Sequence, residues 1–275
     1  MIYKTIMVQL DVDGSSTARM SFAWELAQRF KADLIAFAAA EARMVVPAGD
    51  SGIVAADVMR RQIEEIEDRL TVLKEECGSV TQDSNRASWR GFVGNPTRLL
   101  AEHARATDLV VVGTPGTDLA VDHLRPIDVG MLVLSAGRPV LLASESLAPV
   151  RTDTILVAWK ETREARRAVV DAMPFLVDAR DVLVATLEVD DSKAAHAGVA
   201  DVVRFLMKHG VKARSEVVGV GRSDGGEALA EIARGIGADL IISGGYGHSR
   251  LREWAFGGVT RSLLRNGAIN RLISN

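Results

Sequence analysis

The feature that most constrains the fold of this chain is an internal repeat. The segment KTIMVQLD (4–11) resembles DTILVAWK (153–160), and TDLVVVGTPG (107–116) resembles ADLIISGGYG (238–247). Each half opens with an apolar strand and carries, near its end, a second strand that finishes in Gly-x-x-Gly. Because the two segments occur in the same order in both halves, we infer a tandem duplication.

The repeat predicts two domains of unequal length. We expect domains at 1–146 and 151–275, joined by a linker around ESLAPVRTD (145–153). From Thr5 to Gly113 is 108 positions, whereas from Thr154 to Gly244 is 90. The extra residues fall before the third strand of the first half, where apolar residues recur at helical spacing.

Within each half, predicted strands alternate with predicted helices. Short Val/Ile/Leu runs without polar alternation are typical of strands buried on both faces. Strands that alternate with helices favour a parallel, doubly wound sheet. The predicted fold class is therefore α/β, with two tandem doubly wound five-stranded parallel-sheet domains of Rossmann-like type. Strands are expected at 4–11, 33–40, 86–92, 108–113, 138–144, 153–159, 181–188, 212–218, 239–244 and 269–274, and helices at 16–31, 53–77, 96–106, 127–136, 162–177, 194–209, 224–236 and 257–266.

Composition excludes several classes of protein. The net charge of −3 gives no basic field for nucleic acid or for an anionic membrane. No apolar stretch approaches the roughly 18 residues of a membrane span, and the N-terminal apolar run is too short for a signal peptide. Cys77 is the only cysteine, which excludes an internal disulfide and a thiolate metal cluster. We therefore expect a cytoplasmic protein without nucleic-acid or membrane partners.

The glycine-rich stretch SGGYGHSRLREWAFGGVT (243–260) is the main candidate for a binding site. In doubly wound sheets, ligands bind beyond the C-terminal ends of the strands, where the strand order reverses. In the second half, these ends are Ala158-Trp159-Lys160 and Gly244. Glycines at a turn between a strand and a helix are also common for purely structural reasons.

The end of this stretch suits phosphate. A helix that starts after the glycine pair would present free N–H groups and a partial positive charge. Those N–H groups belong to Gly257, Gly258, Val259 and Thr260, and Gly244 and Gly247 allow close approach to the backbone. His248 could neutralise phosphate or cap the loop, and Arg250 is the better phosphate partner because arginine is always charged.

The spacing Gly244-x2-Gly247-x9-Gly257 resembles the G-x2-G-x9-G-[S/T] motif of the universal stress proteins, and the resemblance covers the whole chain as two domains in tandem. It implies a stress or adaptation function and ATP or another adenine nucleotide as ligand, with or without Mg²⁺. It also implies pairing of domains through their last strands, as a homodimer or within one chain.

The chain departs from the family pattern in both halves. Gly258 stands where the motif has Ser or Thr, and Lys160 stands where an acid usually ends the first strand. Trp159 could stack on a base or pack against the sheet. Asn270 and Arg271 replace the usual Pro-Val of the last strand.

The first half has the opposite defects. Asp11 ends its first strand at the acidic position, but thirteen residues rather than nine separate Gly116 from Gly130, and no Gly-Ser/Thr pair follows. Its phosphate cradle is predicted to be degenerate. Each half thus keeps a different part of the family's site.

The sequence contains no motif for catalysis. There is no GxSxG elbow, no GxxxxGK[ST] loop and no HExxH pair, and no residue is predicted to be catalytic or to bind a metal. We expect at most slow ATP hydrolysis. Two functions remain open: an adenine-nucleotide-binding regulatory module, with the second half as its site, and a stress scaffold or interaction dimer whose glycine loop is a relic.

Overall fold

The structure is a computed structural model, and it describes residues 2–14, 16–42, 52–114, 126–188, 193–219, 225–245, 262–264 and 267–275. Strands and helices alternate along both halves, as predicted. The first half contains strands β1 (Thr5–Leu10), β2 (Asp33–Ala40), β3 (Ala87–Val93), β4 (Leu109–Gly113) and β5 (Val140–Ala143), and helices α1 (Thr17–Phe30), α2 (Gly52–Thr81), α3 (Pro96–His103) and α4 (Val129–Ser135). The second half contains strands β6 (Thr154–Trp159), β7 (Asp181–Glu188), β8 (Ala213–Gly219), β9 (Leu240–Gly244) and β10 (Asn270–Ser274), and helices α5 (Arg163–Asp171), α6 (Met173–Asp178), α7 (Lys193–Lys208) and α8 (Gly225–Gly235).

The ten strands form one sheet in the order β3-β2-β1-β4-β5-β10-β9-β6-β7-β8. Within each half all neighbouring strands are parallel, and the strand order is the same when each half is counted from its own first strand. The halves meet where β5 and β10 pair antiparallel, with Leu141 opposite Leu272. The expected pairing of domains through their last strands therefore occurs inside one chain.

The sheet is covered by helices on both faces. On one face, α1, α2, α5, α6 and α7 share a single hydrophobic core that runs across both halves. Tyr3, Phe30 and Phe175 join the halves there, with ring centroids 5.1 to 5.6 Å apart in edge-to-face contacts. On the other face there are two separate cores, one formed by the first half together with Ile273 of β10 and one formed by the second half.

Two predicted helices differ from those observed. The helix expected at 162–177 is divided, because α5 ends at Asp171 and α6 begins at Met173. Pro174 lies in the first turn of α6, where its missing N–H and its ring prevent α5 from continuing. The helix expected at 53–77 continues to Thr81 and accounts for the greater length of the first half.

Cys77 lies in the core at the end of α2. Burial, with a smaller contribution from Glu76, raises the pKa of its thiol to about 12. The thiol is therefore protonated and inert at neutral pH.

Candidate functional site

The strand order reverses between β1 and β4 in the first half and between β6 and β9 in the second. These are the switch points at which doubly wound sheets bind ligands. Gly244 ends β9 directly beside β6, since Ala158 is in register with Ser243. Gly113 ends β4 in the equivalent place of the first half. The first glycine of the stretch, Gly244, therefore lies at the C-terminal edge of the sheet.

Three predicted residues follow one another at the end of β6. Ala158 is partly buried, and Lys160 is exposed. Trp159 is 8% exposed and belongs to the core on the helix α5 side of the sheet. Of the two roles considered for its indole, the structure shows packing against the sheet.

Two glycines at the end of β9 are required by packing. A Cβ at Gly244 would lie 2.5 Å from the backbone nitrogen of Ala165, in the first turn of α5. A Cβ at Gly245 would lie 2.8 Å from Cγ2 of Ile273 and 3.1 Å from Cγ1 of Val133. The space directly above Gly244 is thus filled by the backbone of α5 and is not open to a ligand.

Helix α5 approaches Gly244 because the connection before it is short. Only Lys160, Glu161 and Thr162 separate β6 from α5, and the Thr162 N–H donates to the Lys160 carbonyl at 2.7 Å. The Thr162 hydroxyl caps α5 by accepting from the Ala165 N–H at 3.3 Å. The first turn of the helix is therefore held over the end of β9 by local hydrogen bonds.

Glu164 is a buried acid at this switch point that the sequence did not reveal as a site residue. Its side chain is 5% exposed and accepts a hydrogen bond from Arg163 Nε. Burial acts to raise the pKa of Glu164, but hydrogen bonds from Arg163, from its own N–H and from Thr162 outweigh burial and lower it. The carboxylate is therefore ionised at neutral pH.

The remaining predicted residues of the second half lie outside the described residues. They are Gly247, His248, Arg250, Gly257, Gly258, Val259 and Thr260. Of the helix predicted to follow them, the structure describes 262–264 as helical, and Leu263 in this segment is buried against the sheet.

In the first half, the switch point holds a closed ring of hydrogen bonds. Arg19, near the start of α1, donates from Nη2 to Asp11 Oδ2 at 2.8 Å and from Nη1 to Gln9 Oε1 at 2.9 Å. Nη1 also donates to the backbone carbonyl of Gln9 at 3.1 Å. The Gln9 amide closes the ring by donating to Asp11 Oδ1 at 2.9 Å. Asp11, the acid at the family's position, is thus paired with a cation of its own chain.

The guanidinium of Arg19 lies directly on Gly113. A Cβ at Gly113 would lie 2.6 Å from Arg19 Cζ and 2.9 Å from its Nε. A side chain at the end of β4 would therefore displace the guanidinium of Arg19 from its present position. Gly130 is buried in the first turn of α4, whereas Gly116 lies outside the described residues.

A second buried arginine lies at the junction of the halves. Arg271 in β10 is 1% exposed, and its Nη1 donates to the Leu263 carbonyl at 3.2 Å. Its Nη2 donates to the hydroxyl of Thr114, the residue that follows β4. Asn270 also joins the halves, because its Oδ1 accepts from the Ser144 N–H at 2.9 Å and its Nδ2 donates to the Asp239 carbonyl at 3.3 Å. The two residues that depart from Pro-Val thus form cross-junction hydrogen bonds.

Among the described residues, no group of three or more His, Cys, Asp or Glu side chains is arranged to hold a metal ion. In the same part of the chain, no helix combines the length and the apolar character needed to cross a membrane.

Comparison with solved structures identifies the fold. A universal stress protein from Archaeoglobus fulgidus DSM 4304 superposes with a TM-score of 0.70 at 13% identity, over 98% of this chain and 98% of its own. A functionally unknown protein from Pseudomonas aeruginosa PAO1 gives 0.61 at 14% identity, over 99% of this chain and 92% of its own. A third structure, from Pseudomonas aeruginosa UCBPP-PA14, gives 0.62 at 15% identity, over 99% and 93%.

No protein-family model and no curated protein matches the sequence. The structural likeness shows the fold: this chain has the α/β fold of the universal stress proteins, present twice in tandem.

Proposed function

We propose that the second half binds ATP or a related adenine nucleotide, and that the chain is a regulatory module of stress adaptation. One observation carries the proposal. The G-x2-G-x9-G spacing begins at Gly244, the last residue of β9, at the switch point beside β6. A nucleotide-type glycine spacing that begins at the ligand-binding edge of a doubly wound sheet supports a nucleotide site.

The phosphates would be held mainly by backbone groups. Gly257, Gly258, Val259 and Thr260 would supply N–H groups at a helix start, and the Thr260 hydroxyl would add a donor. Gly258 removes the usual hydroxyl of the motif but keeps its N–H. Because the indole of Trp159 is in the core, the proposal assigns it no contact with the base. Exposed Lys160 would favour an anionic ligand at the same edge.

The proposal concerns binding and includes no catalytic step. A ligand that binds only the native state stabilises it by about 2.7 kcal/mol at a concentration one hundred times its Kd. Nucleotide binding would therefore make the stability of the folded chain depend on nucleotide concentration.

The test uses one glycine variant in each half of the full chain. Gly247→Val should abolish the rise in melting temperature that ATP causes, because the side chain blocks close approach of the phosphates. Gly116→Val, the repeat-related control, should leave that rise intact. Gly244 is unsuited to this test, since a side chain there collides with the backbone of α5. An unchanged ATP response in Gly247→Val removes this loop from the site.

A scaffold function is the second candidate, and a specific observation favours it. Gly244 and Gly245 both have packing partners within the chain, so neither glycine needs a ligand to explain it. If millimolar ATP, ADP and AMP leave the melting temperature unchanged, and denatured protein releases no nucleotide by mass spectrometry, the scaffold is the function that remains.

A further inference from the structure

Different groups cover the switch point at the C-terminal edge of the sheet in the two halves. Helix α1 can be aligned with helices α5 and α6 because buried residues of the two halves lie the same number of positions apart. The aligned pairs are Ala23 and Ala168, Ala27 and Ala172, and Phe30 and Phe175. Counted back from these pairs, Arg19 corresponds to Glu164. A cation of the first half thus stands where the second half has an acid.

The loop before each helix explains the difference. Six residues (11–16) separate β1 from α1, whereas three (160–162) separate β6 from α5. The shorter connection brings the backbone of α5 down onto Gly244. In the first half, the atoms nearest to a Cβ built on Gly113 belong to the guanidinium of Arg19 rather than to the backbone of α1.

We propose that the switch point of the first half is a guanidinium-binding site, which the chain occupies with its own Arg19. The acceptors are the Asp11 carboxylate, the Gln9 side-chain oxygen and the Gln9 carbonyl, and Gly113 forms the floor. This set matches a planar cation that donates from two nitrogens at once. A single ammonium could not reach these acceptors with the same geometry.

The surroundings show that the site is built for this group. Gln9 is 3% exposed and the side chain of Arg19 is 15% exposed, so both are largely removed from water, whereas the side chain of Asp11 is 40% exposed and reaches solvent. Each oxygen and nitrogen of the Gln9 side chain has a partner in the ring. Any other ligand can enter the first half only if this guanidinium leaves. The inference holds whether or not the second half binds a nucleotide.

The test restores the missing group chemically. Arg19→Ala removes the atoms that N-ethylguanidinium contains, so this small cation should bind the variant and raise its melting temperature with a saturating dose response. A rise of roughly 2–4 °C is expected at saturating ligand. Ethylammonium, which has the charge but lacks the planar fork, should not produce it.

Two control variants test whether N-ethylguanidinium binds at the place that Arg19 leaves. Arg98→Ala removes an arginine whose side chain is 71% exposed, and N-ethylguanidinium should leave the melting temperature of this variant unchanged. Adding Asp11→Asn to Arg19→Ala should weaken the response about tenfold or more in concentration, because a charge-assisted hydrogen bond is lost.

The following outcomes would overturn the proposal. If Arg19→Ala is folded and shows no saturable response, or responds equally to ethylammonium, the site does not recognise guanidinium. If Arg19→Ala does not fold alone, N-ethylguanidinium should restore its far-ultraviolet circular dichroism at millimolar concentration. Failure of that rescue also overturns the proposal.

Discussion

Replacing the buried Arg271 by methionine should make the protein more stable. Arg271 is 1% exposed, and within the described part of the chain its Nε has no hydrogen-bond partner. Burial lowers the pKa of its guanidinium to about 10, with Glu145 opposing the shift. At 1.36 kcal/mol per pH unit, holding the charge in this place costs about 3 kcal/mol at neutral pH.

Of the two groups that accept from Arg271, the Thr114 hydroxyl tolerates the change, whereas the Leu263 carbonyl loses its side-chain donor. Thr114 Oγ, which accepts from Arg271, also donates to the Ala143 carbonyl at 2.7 Å and keeps that bond without the arginine. Methionine fills much of the same volume, and the neighbouring strand residues are apolar. Replacing buried charges by apolar groups is often neutral or stabilising by about 1–4 kcal/mol. We expect Arg271→Met to increase the free energy of unfolding by about 1–3 kcal/mol.

The assay is urea denaturation of the full chain, followed by circular dichroism and by tryptophan fluorescence. Coincident curves and an unchanged m-value show that the midpoint reports stability. Arg98→Met, in which an exposed arginine is replaced, should change the free energy of unfolding by less than about 0.5 kcal/mol. A lower midpoint for Arg271→Met would refute the reasoning, since the hydrogen bonds to Thr114 and Leu263 would then outweigh the cost of burial.

Two further variants test the packing and the buried charges. Gly244→Ala should lower the melting temperature because its Cβ collides with the Ala165 backbone. Gly219→Ala is the control and should not lower it, because a Cβ there meets nothing within 4 Å. Equal melting temperatures for the two variants would contradict the close packing of α5 on β9. Burial raises the pKa of Asp171, so the folded protein binds this proton more tightly and loses stability as pH rises above the ordinary value of the acid. Asp171→Asn should therefore be more stable than the wild type at pH 7, and denaturation at several pH values should show the gain vanishing below about pH 4.

The order of strands and helices along the chain could be predicted from sequence because it depends on local patterns. Unbroken apolar runs identify strands that are buried on both faces, and the repeat gives the same order twice. The start of α3 can be read from two adjacent residues. The Asn95 side chain accepts from the Arg98 N–H at 2.9 Å, and Pro96 begins the helix. Asparagine followed by proline is a typical helix start.

The contents of the switch points could not be predicted in the same way. Gln9, Asp11 and Arg19 are near one another in sequence, but their ring forms over Gly113, about a hundred residues away. The sequence also gives no indication that Gly244 contacts the backbone of α5, because that contact depends on the length of a loop and on the direction of a helix. The spacing of the glycines predicts that they lie at the switch point of the sheet. Only the folded structure shows which groups lie against them.

The unequal last strands explain why the halves pair with each other. In the observed register, Leu141 faces Leu272, and Arg271 faces Leu142. Two copies of β10 paired in the same register would place each Arg271 opposite Ile273 of the other copy. The two Arg271 residues would then be diagonal neighbours on one face, with their backbones about 7–8 Å apart. Burying two like charges at that distance is strongly unfavourable, whereas β5 offers Arg271 an apolar neighbour and the Thr114 hydroxyl. The departure from Pro-Val in the last strand therefore disfavours self-pairing of β10 and favours the junction within the chain.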